Sequence, residues 1–513
     1  MALPTRIHDT AQVRAIDRFA IDKCGIAGYT LMTRAATAAL EVLRERWPAA
    51  RRVLVICGPG NNGGDGYVLA RLARAQGLDA AVASLGIPER KRADAATAHD
   101  DCVRAGVAVE PFAAGLLGHQ DVLVDAIFGT GLDRPVDAKV AAIISRINAS
   151  GIPILSLDIP SGLHSDSGHV MGTAVHAAVT VTFVGLKIGC FRGEGGSHCG
   201  ELHFASLDIP DSGERDVLER LDPTLLARLL PPRARAAHKG AFGHVLVVGG
   251  GRAMPGAARL SAEAALRSGA GLVSVATRPE NVATIVQGRH ELMVHGVGKA
   301  EELVPLVERA SVIVLGPGLG LDAWAQDLFH AVLETDRPLV VDADALNLLA
   351  ARSRQSDRWI LTPHPGEAAR LLEIGTARVQ DDRLGALQTL VARYGGVVVL
   401  KGAGTLIGRA DATPAICTYG NPGMATAGMG DVLTGIIAGL FAQIGDRNGR
   451  ISDLWDAARL GVLSHALAGD RAARNGERGL IASDVFEHLR RCLNPAAAGA
   501  PPSDARSAGP GRA

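Results

Sequence analysis

The chain has 513 residues, 47% hydrophobic and 21% charged, enough apolar material for roughly two to four packed domains. Lysine plus arginine and aspartate plus glutamate number 53 each, so no bulk charge draws it to nucleic acid or to an anionic membrane. Seven cysteines with no CxxC pair suggest neither a zinc site nor a disulfide framework; the polar N-terminus lacks a signal-peptide core, no later stretch reads as a membrane span, and a cytoplasmic, reducing location is expected.

Apolar spacing predicts helices over Ala11 to Ala20 and Leu31 to Arg46, the second followed by Pro48. Arg52 to Cys57 reads as a strand that runs into Gly58-Pro59-Gly60-Asn61-Asn62-Gly63-Gly64-Asp65-Gly66 and then a helix through Ala75. Further buried strands end at Asp125, Asp158 and Gly185. Such alternation predicts a parallel sheet with helices on both faces, and ligands bind such sheets at the carboxyl ends of the strands. Asn62, Asp125, Asp158 and Ser161 would gather there. The pattern lapses from Leu207 to Ala237, around a short helix. It resumes at His238-Lys239-Gly240, with strands at His244 to Val248, Leu272 to Ala276, Val312 to Leu315, Leu339 to Val341, Trp359 to Leu361 and Val397 to Leu400. The expected architecture is α/β with two doubly wound domains, 1–215 and 238–494, a linker at 216–237 and a disordered Pro/Gly/Ala-rich tail at 495–513.

Gly58-x-Gly60-x-x-Gly63 matches the dinucleotide fingerprint of Rossmann domains, but a lone match is weak. The fingerprint wants an acid at the end of the next strand; here Ala80 to Leu85 ends in Gly86-Ile87-Pro88, with Asp79 before it. A Rossmann-like three-layer sandwich is expected, without an ordinary hydride-transfer site. Asn62, Asp125 and Ser161 offer hard oxygen ligands suited to an alkali or alkaline-earth cation, or else each caps a strand–helix turn.

In order, GPGNNGGDG, DAIFGTGL, LDIPSGL and TFVGLKIG, with the opening QVRAID and the GYTLMTRAA segment, resemble the NAD(P)H-hydrate epimerase family over about Leu3 to Ile209. That family interconverts the R and S forms of hydrated NADH and NADPH. The resemblance implies that Asn61, Asn62, Gly63, Gly64 and Asp65, with Gly129, Thr130, Gly131, Leu132, Asp133, Arg134 and Pro135, contact the hydrated nucleotide. It implies that Asn62, Asp125 and Ser161 hold a potassium ion and that Asp158 binds near the altered ring. Asp158 as acid and base, with Lys187 supplying charge, is the expected catalytic pair.

In the second half, Thr418 to Gly439 sets glycines 428 and 430 and Asp431 before an apolar helix. Free N–H groups at a helix tip suit a phosphate, and a carboxylate in the first turn suits a reacting hydroxyl. The plain alternative is a capped helix carrying an Asp. Other strand ends carry Gly316-Pro317-Gly318-Leu319-Gly320, Asp342-Ala343-Asp344, Thr362-Pro363-His364-Pro365-Gly366-Glu367 and Lys401-Gly402-Ala403-Gly404-Thr405. No Gx4GK[ST] run occurs, which excludes a P-loop enzyme.

From His238 to Leu493 these motifs resemble the ribokinase-like dehydratase that acts on S-form NAD(P)H hydrate. The resemblance implies hydrated-nucleotide contacts at Ala257, Gly318, His364 and Asp431, and an adenine-nucleotide site at Lys401, Gly402, Ala403, Gly404, Thr405 and Gly430. The implied reaction phosphorylates the ring hydroxyl and then eliminates phosphate, with ADP as co-substrate, accompanied by Mg2+, and AMP as product. A homo-oligomer is the expected assembly. Two alternatives stay open: a ribokinase-like small-molecule kinase, and an N-terminal unit that only binds nucleotides.

Overall fold

The computed structural model describes residues 3–86, 93–214, 217–352, 354–445 and 450–494. The expected tail at 495–513 and the junction at 215–216 lie outside the described residues. The chain divides into two compact units, Met1–Arg220 and Leu221–Ala513.

In the first unit a seven-stranded parallel sheet runs in the order Ala108–Pro111, Asp79–Ser84, Arg52–Cys57, Val122–Ala126, Ile154–Leu157, Val179–Phe183, Glu201–Ala205. Side chains alternate across it, as a strand requires. Val53, Val55 and Cys57 pack under helices Gly28–Arg46 and Asn61–Ala75, while Leu54 and Ile56 pack on the opposite face with Ile143, Ile144 and Ile147 of helix Ala138–Ala149. The strand order turns back between Arg52–Cys57 and Val122–Ala126, and the crevice at that reversal is where open α/β sheets bind ligands. Gly58 lies at its floor: a Cβ there would stand 2.0 Å from the Ile127 carbonyl oxygen. A three-strand ribbon, absent from the sequence reading, joins Arg6–His8 to Leu186–Lys187 in parallel and to Leu218–Arg220 antiparallel. It fixes the backbone of Lys187 and places a strand inside the stretch expected as linker.

The second unit follows the same logic with a longer sheet, in the order Met293–Gly296, Leu272–Thr277, His244–Val248, Val312–Leu315, Leu339–Val341, Trp359–Leu361, Val397–Leu400, Thr405–Arg409, Ala415–Cys417. The first seven strands are parallel and the last two join antiparallel. Helix Met429–Ile444 lies against helix Pro255–Ser268 with almost no side-chain layer between them, because Gly435 and Gly439 face it. A Cβ at Gly435 would stand 2.0 Å from the Ser261 carbonyl oxygen. That close approach holds the N-terminal tip of Met429–Ile444 over the carboxyl ends of the sheet.

Candidate active sites

In the first unit Asp158 follows its strand with φ of 70°, a left-handed conformation costly for a non-glycine residue and a mark of functional sites. The turn aims its carboxylate into the crevice. Lys187, 1% exposed, donates to Asp158 Oδ1 and, at 2.5 Å, to the Phe183 carbonyl oxygen. Asp158 Oδ2 accepts from the Thr130 N–H at 3.3 Å. A Cβ on Gly129 would lie 3.0 Å from Asp158 Oδ2 and 3.4 Å from Asn62 Cβ, so Asn62, Gly129 and Asp158 share one small space. Asp65 faces the same pair: burial first, then the Asp158 and Asp17 carboxylates, push its carboxyl well above the usual range against the pull of Lys187. Asp17 is raised too, by burial and Asp158, with Lys187 opposing. The site therefore sets three carboxyl groups around one buried lysine. Residues 131 and 133–135 form an exposed rim.

Asp125 lies on the neighbouring strand, and Ser161 on the same loop as Asp158. Both are fully buried. Asp125 Oδ1 accepts from Ser161 Oγ at 2.6 Å and the Ile127 N–H at 3.2 Å, and Oδ2 accepts from Ser156 Oγ at 2.8 Å and the Ser161 N–H at 2.9 Å. No lysine, arginine or histidine pairs with it among the described residues, and burial raises its carboxyl. Asn62 is buried with both side-chain heteroatoms unpartnered.

In the second unit the glycine turns interlock. The Gly250 N–H donates to the Pro317 carbonyl oxygen at 3.0 Å, and the Gly251 N–H to that of Gly318 at 2.5 Å. Gly318, at φ of 58°, lies so close to helix Pro255–Ser268 that a Cβ would stand 3.1 Å from Ala257 Cβ, which brings those two expected contacts together. The tip of Met429–Ile444 begins at Gly428 with φ of 87° and has no side-chain cap. Its first N–H groups have no acceptor within the helix and remain available to an anion.

Below that tip lies a charge cluster. Lys401 Nζ donates to Asp342 Oδ1 at 2.7 Å and stands 3.7 Å from Glu367 Oε2. Asp342 Oδ2 accepts from Thr434 Oγ1 at 2.8 Å. A Cβ on Gly430 would lie 3.2 Å from Lys401 Nζ, so the ammonium sits directly against the helix tip. Burial would raise the Asp342 carboxyl, but the Lys401 ammonium and its hydrogen bonds outweigh burial and hold it below the usual range. Lys401 is raised in turn: burial would lower it, and Asp342 and Glu367 prevail. Asp431 makes no hydrogen bond or ion pair among the described residues. Burial, followed by Asp342, pushes its carboxyl up to about 7, with Lys401 opposing. Glu367 also reaches about 7, through burial first, with Lys401 opposing and Asp342 adding.

His364 is half exposed and its Nδ1 caps its own helix, accepting from the N–H groups of Gly366 at 2.9 Å and Glu367 at 3.3 Å. Burial, then Lys401, lowers it, which keeps the ring neutral. The loop Lys401 to Thr405 is gripped from behind by Arg383, which donates to the carbonyl oxygens of Leu400, Lys401, Ala403 and Gly404.

Residues 245–491 match the NAD(P)H-hydrate dehydratase family and residues 28–189 the YjeF-related protein N-terminus. The chain is 49% identical over 497 residues to the bifunctional NAD(P)H-hydrate repair enzyme Nnr of Coxiella burnetii, covering 96% of this chain and all of that one. It belongs to the bifunctional NAD(P)H-hydrate repair enzyme family. The Escherichia coli member is 41% identical over 498 residues, covering 96% of this chain and 95% of its own. Among solved structures, the ADP/ATP-dependent NAD(P)H-hydrate dehydratase from Bacillus subtilis, co-crystallised with ATP and Mg2+, is 29% identical; it covers 53% of this chain and 96% of its own, at a TM-score of 0.48. Family membership sets aside the small-molecule kinase alternative with its N-terminal nucleotide-binding module.

Sequence reasoning leaves several members of this repair-family chain's clusters without a role. Asp17 is the last letter of QVRAID and could be taken from it. Asp342, Asp344 and Glu367 stand in strand-end motifs that assign them nothing. Arg383, a helix arginine in no motif, carries no signal.

Proposed function

We propose that the chain repairs hydrated NADH and NADPH in two steps, one in each unit. The first unit epimerises the R and S forms; the second dehydrates the S form with ADP, giving AMP and phosphate. One observation supports the division most: each unit places its own acid set at the carboxyl ends of its own sheet, with all members drawn from that unit.

Epimerisation at the hydrated carbon requires a proton for the departing oxygen and a base for its return on the other face. Asp158, held by Lys187 and the Thr130 N–H, is the placed base. Asp65, whose carboxyl burial first and then Asp158 push well above the usual range, is the group better suited to hold a proton there. The segment from Gly129 to Pro135, exposed at 131 and 133–135, with Asn61 to Asp65, borders the nucleotide. Buried Asn62 with an unpartnered carbonyl, and a buried Asp125 carboxylate lacking a cation partner, fit a potassium ion held together with Ser161. When bound, potassium would supply the positive charge that this buried carboxylate lacks.

In the second unit the ring hydroxyl passes its proton to Asp431 as its oxygen bonds to the terminal phosphorus of ADP and AMP leaves. The ring C–O bond of the resulting phosphate ester then breaks, phosphate leaves with the bonding pair, and a proton lost from the neighbouring carbon restores the ring double bond. Gly428 and Gly430 leave the helix-tip N–H groups open to the phosphoryl oxygens, and Lys401 adds charge from below. Among the described residues no three His, Cys, Asp or Glu side chains are arranged to hold a metal. Magnesium therefore fits here only as a companion of the nucleotide's own phosphates, and no protein cage is assigned to it. The test is incubation of the full chain with mixed hydrate epimers and ADP, following NADH absorbance and AMP together. NADH without AMP, or AMP without NADH, would refute the coupled reaction.

A further inference from the structure

The loop that leads into the reactive helix tip is tied to a helix that no motif drew attention to. The Asp470 carboxylate, near the end of helix Ile451–Ala472, accepts from the Gly420 N–H through Oδ2 and from Asn421 Nδ2 through Oδ1, both at 3.0 Å. Asn421 turns its other heteroatom inward, and its Oδ1 accepts from the Gly423 N–H at 3.1 Å. The neighbouring Gly469 is occupied as well: a Cβ there would lie 2.3 Å from the Met424 sulfur. Glycine inside a helix costs stability relative to alanine, and here Met424 fills the space it leaves. On the far side of the loop, a Cβ on Gly423 would lie 2.5 Å from the Glu477 carbonyl oxygen. The loop is thus seated between two segments, and the bidentate carboxylate is its polar anchor. Four residues beyond Met424 the chain reaches Gly428, the left-handed turn that opens the helix of Gly430 and Asp431.

We propose that Asp470 is a positioning residue for the dehydratase reaction: by clamping Gly420 and Asn421 it sets the approach of Gly428 to Asp431 to the reacting phosphoryl group. This rests on the dehydratase reading above. Asp470 does not touch the reactants; it acts through the loop. Its chemistry is specific, because both partners are N–H donors and only a carboxylate accepts from both. An amide at 470 would set NH2 against NH2 or, if Asn421 flips, leave the Gly423 N–H facing a donor.

The test uses the full chain with the variants Asp470→Asn and the exchanged pair Asn421→Asp with Asp470→Asn. In the exchanged pair the amide stands on the helix and the carboxylate on the loop, so every hydrogen bond can be made again. Dehydratase kcat of Asp470→Asn is expected to fall about ten- to a hundredfold, the effect of a displacement on the order of an ångström, with KM for the hydrate within about threefold of wild type. The exchanged pair is expected to recover most of the loss, and epimerisation by the same chains to stay unchanged. Exchange of the Gly420 amide with deuterium should speed up in the single variant and slow again in the pair. Turnover of Asp470→Asn within about twofold of wild type, or a loss that the exchanged pair does not recover, would overturn the proposal. If the wild-type chain forms no AMP, the dehydratase reading fails, whereas amide exchange still reads the clamp by itself.

Discussion

Asp431 is legible in the amino-acid sequence as a candidate functional residue, because a carboxylate behind two glycines at a helix start is an unusual combination. Its charge state is not legible there, since it depends on Asp342, Asp344 and Glu367, which arrive from other strands. With its carboxyl raised to about 7, a base at this position is half protonated near neutrality. Dehydratase kcat is therefore expected to rise with pH through about 7 and to level off above it. Asp431→Asn should remove that rise and lower kcat by about a hundred- to ten-thousand-fold, the usual worth of a placed base, while ADP still binds by titration calorimetry. Turnover within a few-fold of wild type would leave Asp431 as an ordinary helix residue. The same shift carries a stability consequence. A carboxyl raised in the folded state contributes stability that is complete below its unfolded value near 4 and is lost as pH rises through about 7. Asp431→Asn should therefore raise the melting temperature of the second unit at pH 8, by about 1–3 kcal/mol of stability, and change it little at pH 4. In the first unit, Asp125→Ala is expected to abolish any potassium dependence of epimerisation and to leave the dehydratase untouched. Equal potassium response in variant and wild type would reduce Asp125 to a turn residue held by Ser156 and Ser161.

Long apolar strands and the helices between them are legible as elements because their periodicity is local. Strands such as Arg52–Cys57, His244–Val248 and Val312–Leu315 fall where their valines and leucines place them. The two-residue strand Leu186–Lys187 and the three-residue strands Arg6–His8 and Leu218–Arg220 are not, since so few residues carry no period and their pairing is set by distant chain. Thr405–Arg409 escapes detection for a different reason, because the lysine and glycines before it read as a nucleotide loop and mask the alternation behind them, while Ala415–Cys417 is again only three residues long. Not every glycine of the Gly58 to Gly66 run faces a ligand: Gly66, at its end, is a packing residue. A Cβ there would lie 2.6 Å from Ala126 Cβ and 2.8 Å from Cys57 Sγ, where helix Asn61–Ala75 presses on the sheet. Gly66→Ala is expected to destabilise the first unit by about 1–3 kcal/mol, as overpacked cores do, and to lower its melting temperature while the dehydratase stays active. An unchanged melting temperature would mean that the helix can shift outward at no cost.

On the scale of the whole molecule, the order of the motifs implies two tasks in sequence, because no motif of one half falls inside the other. The division at Arg220 and Leu221 agrees with that order, and every hydrogen bond and ion pair described at each site is made within its own unit. If the two proposed sites act independently, each can be silenced alone. The most direct measurement follows a mixture of R and S hydrates by chromatography, with ADP, over times shorter than their spontaneous exchange. It compares wild type, Asp158→Ala and Asp431→Asn. The expected result is complete conversion of both epimers to NADH by wild type, consumption of the S form alone by Asp158→Ala, and epimers that interconvert without loss with Asp431→Asn. Clearance of both epimers by Asp158→Ala at the wild-type rate, or loss of epimerisation in Asp431→Asn, would contradict the assignment of one reaction to each unit.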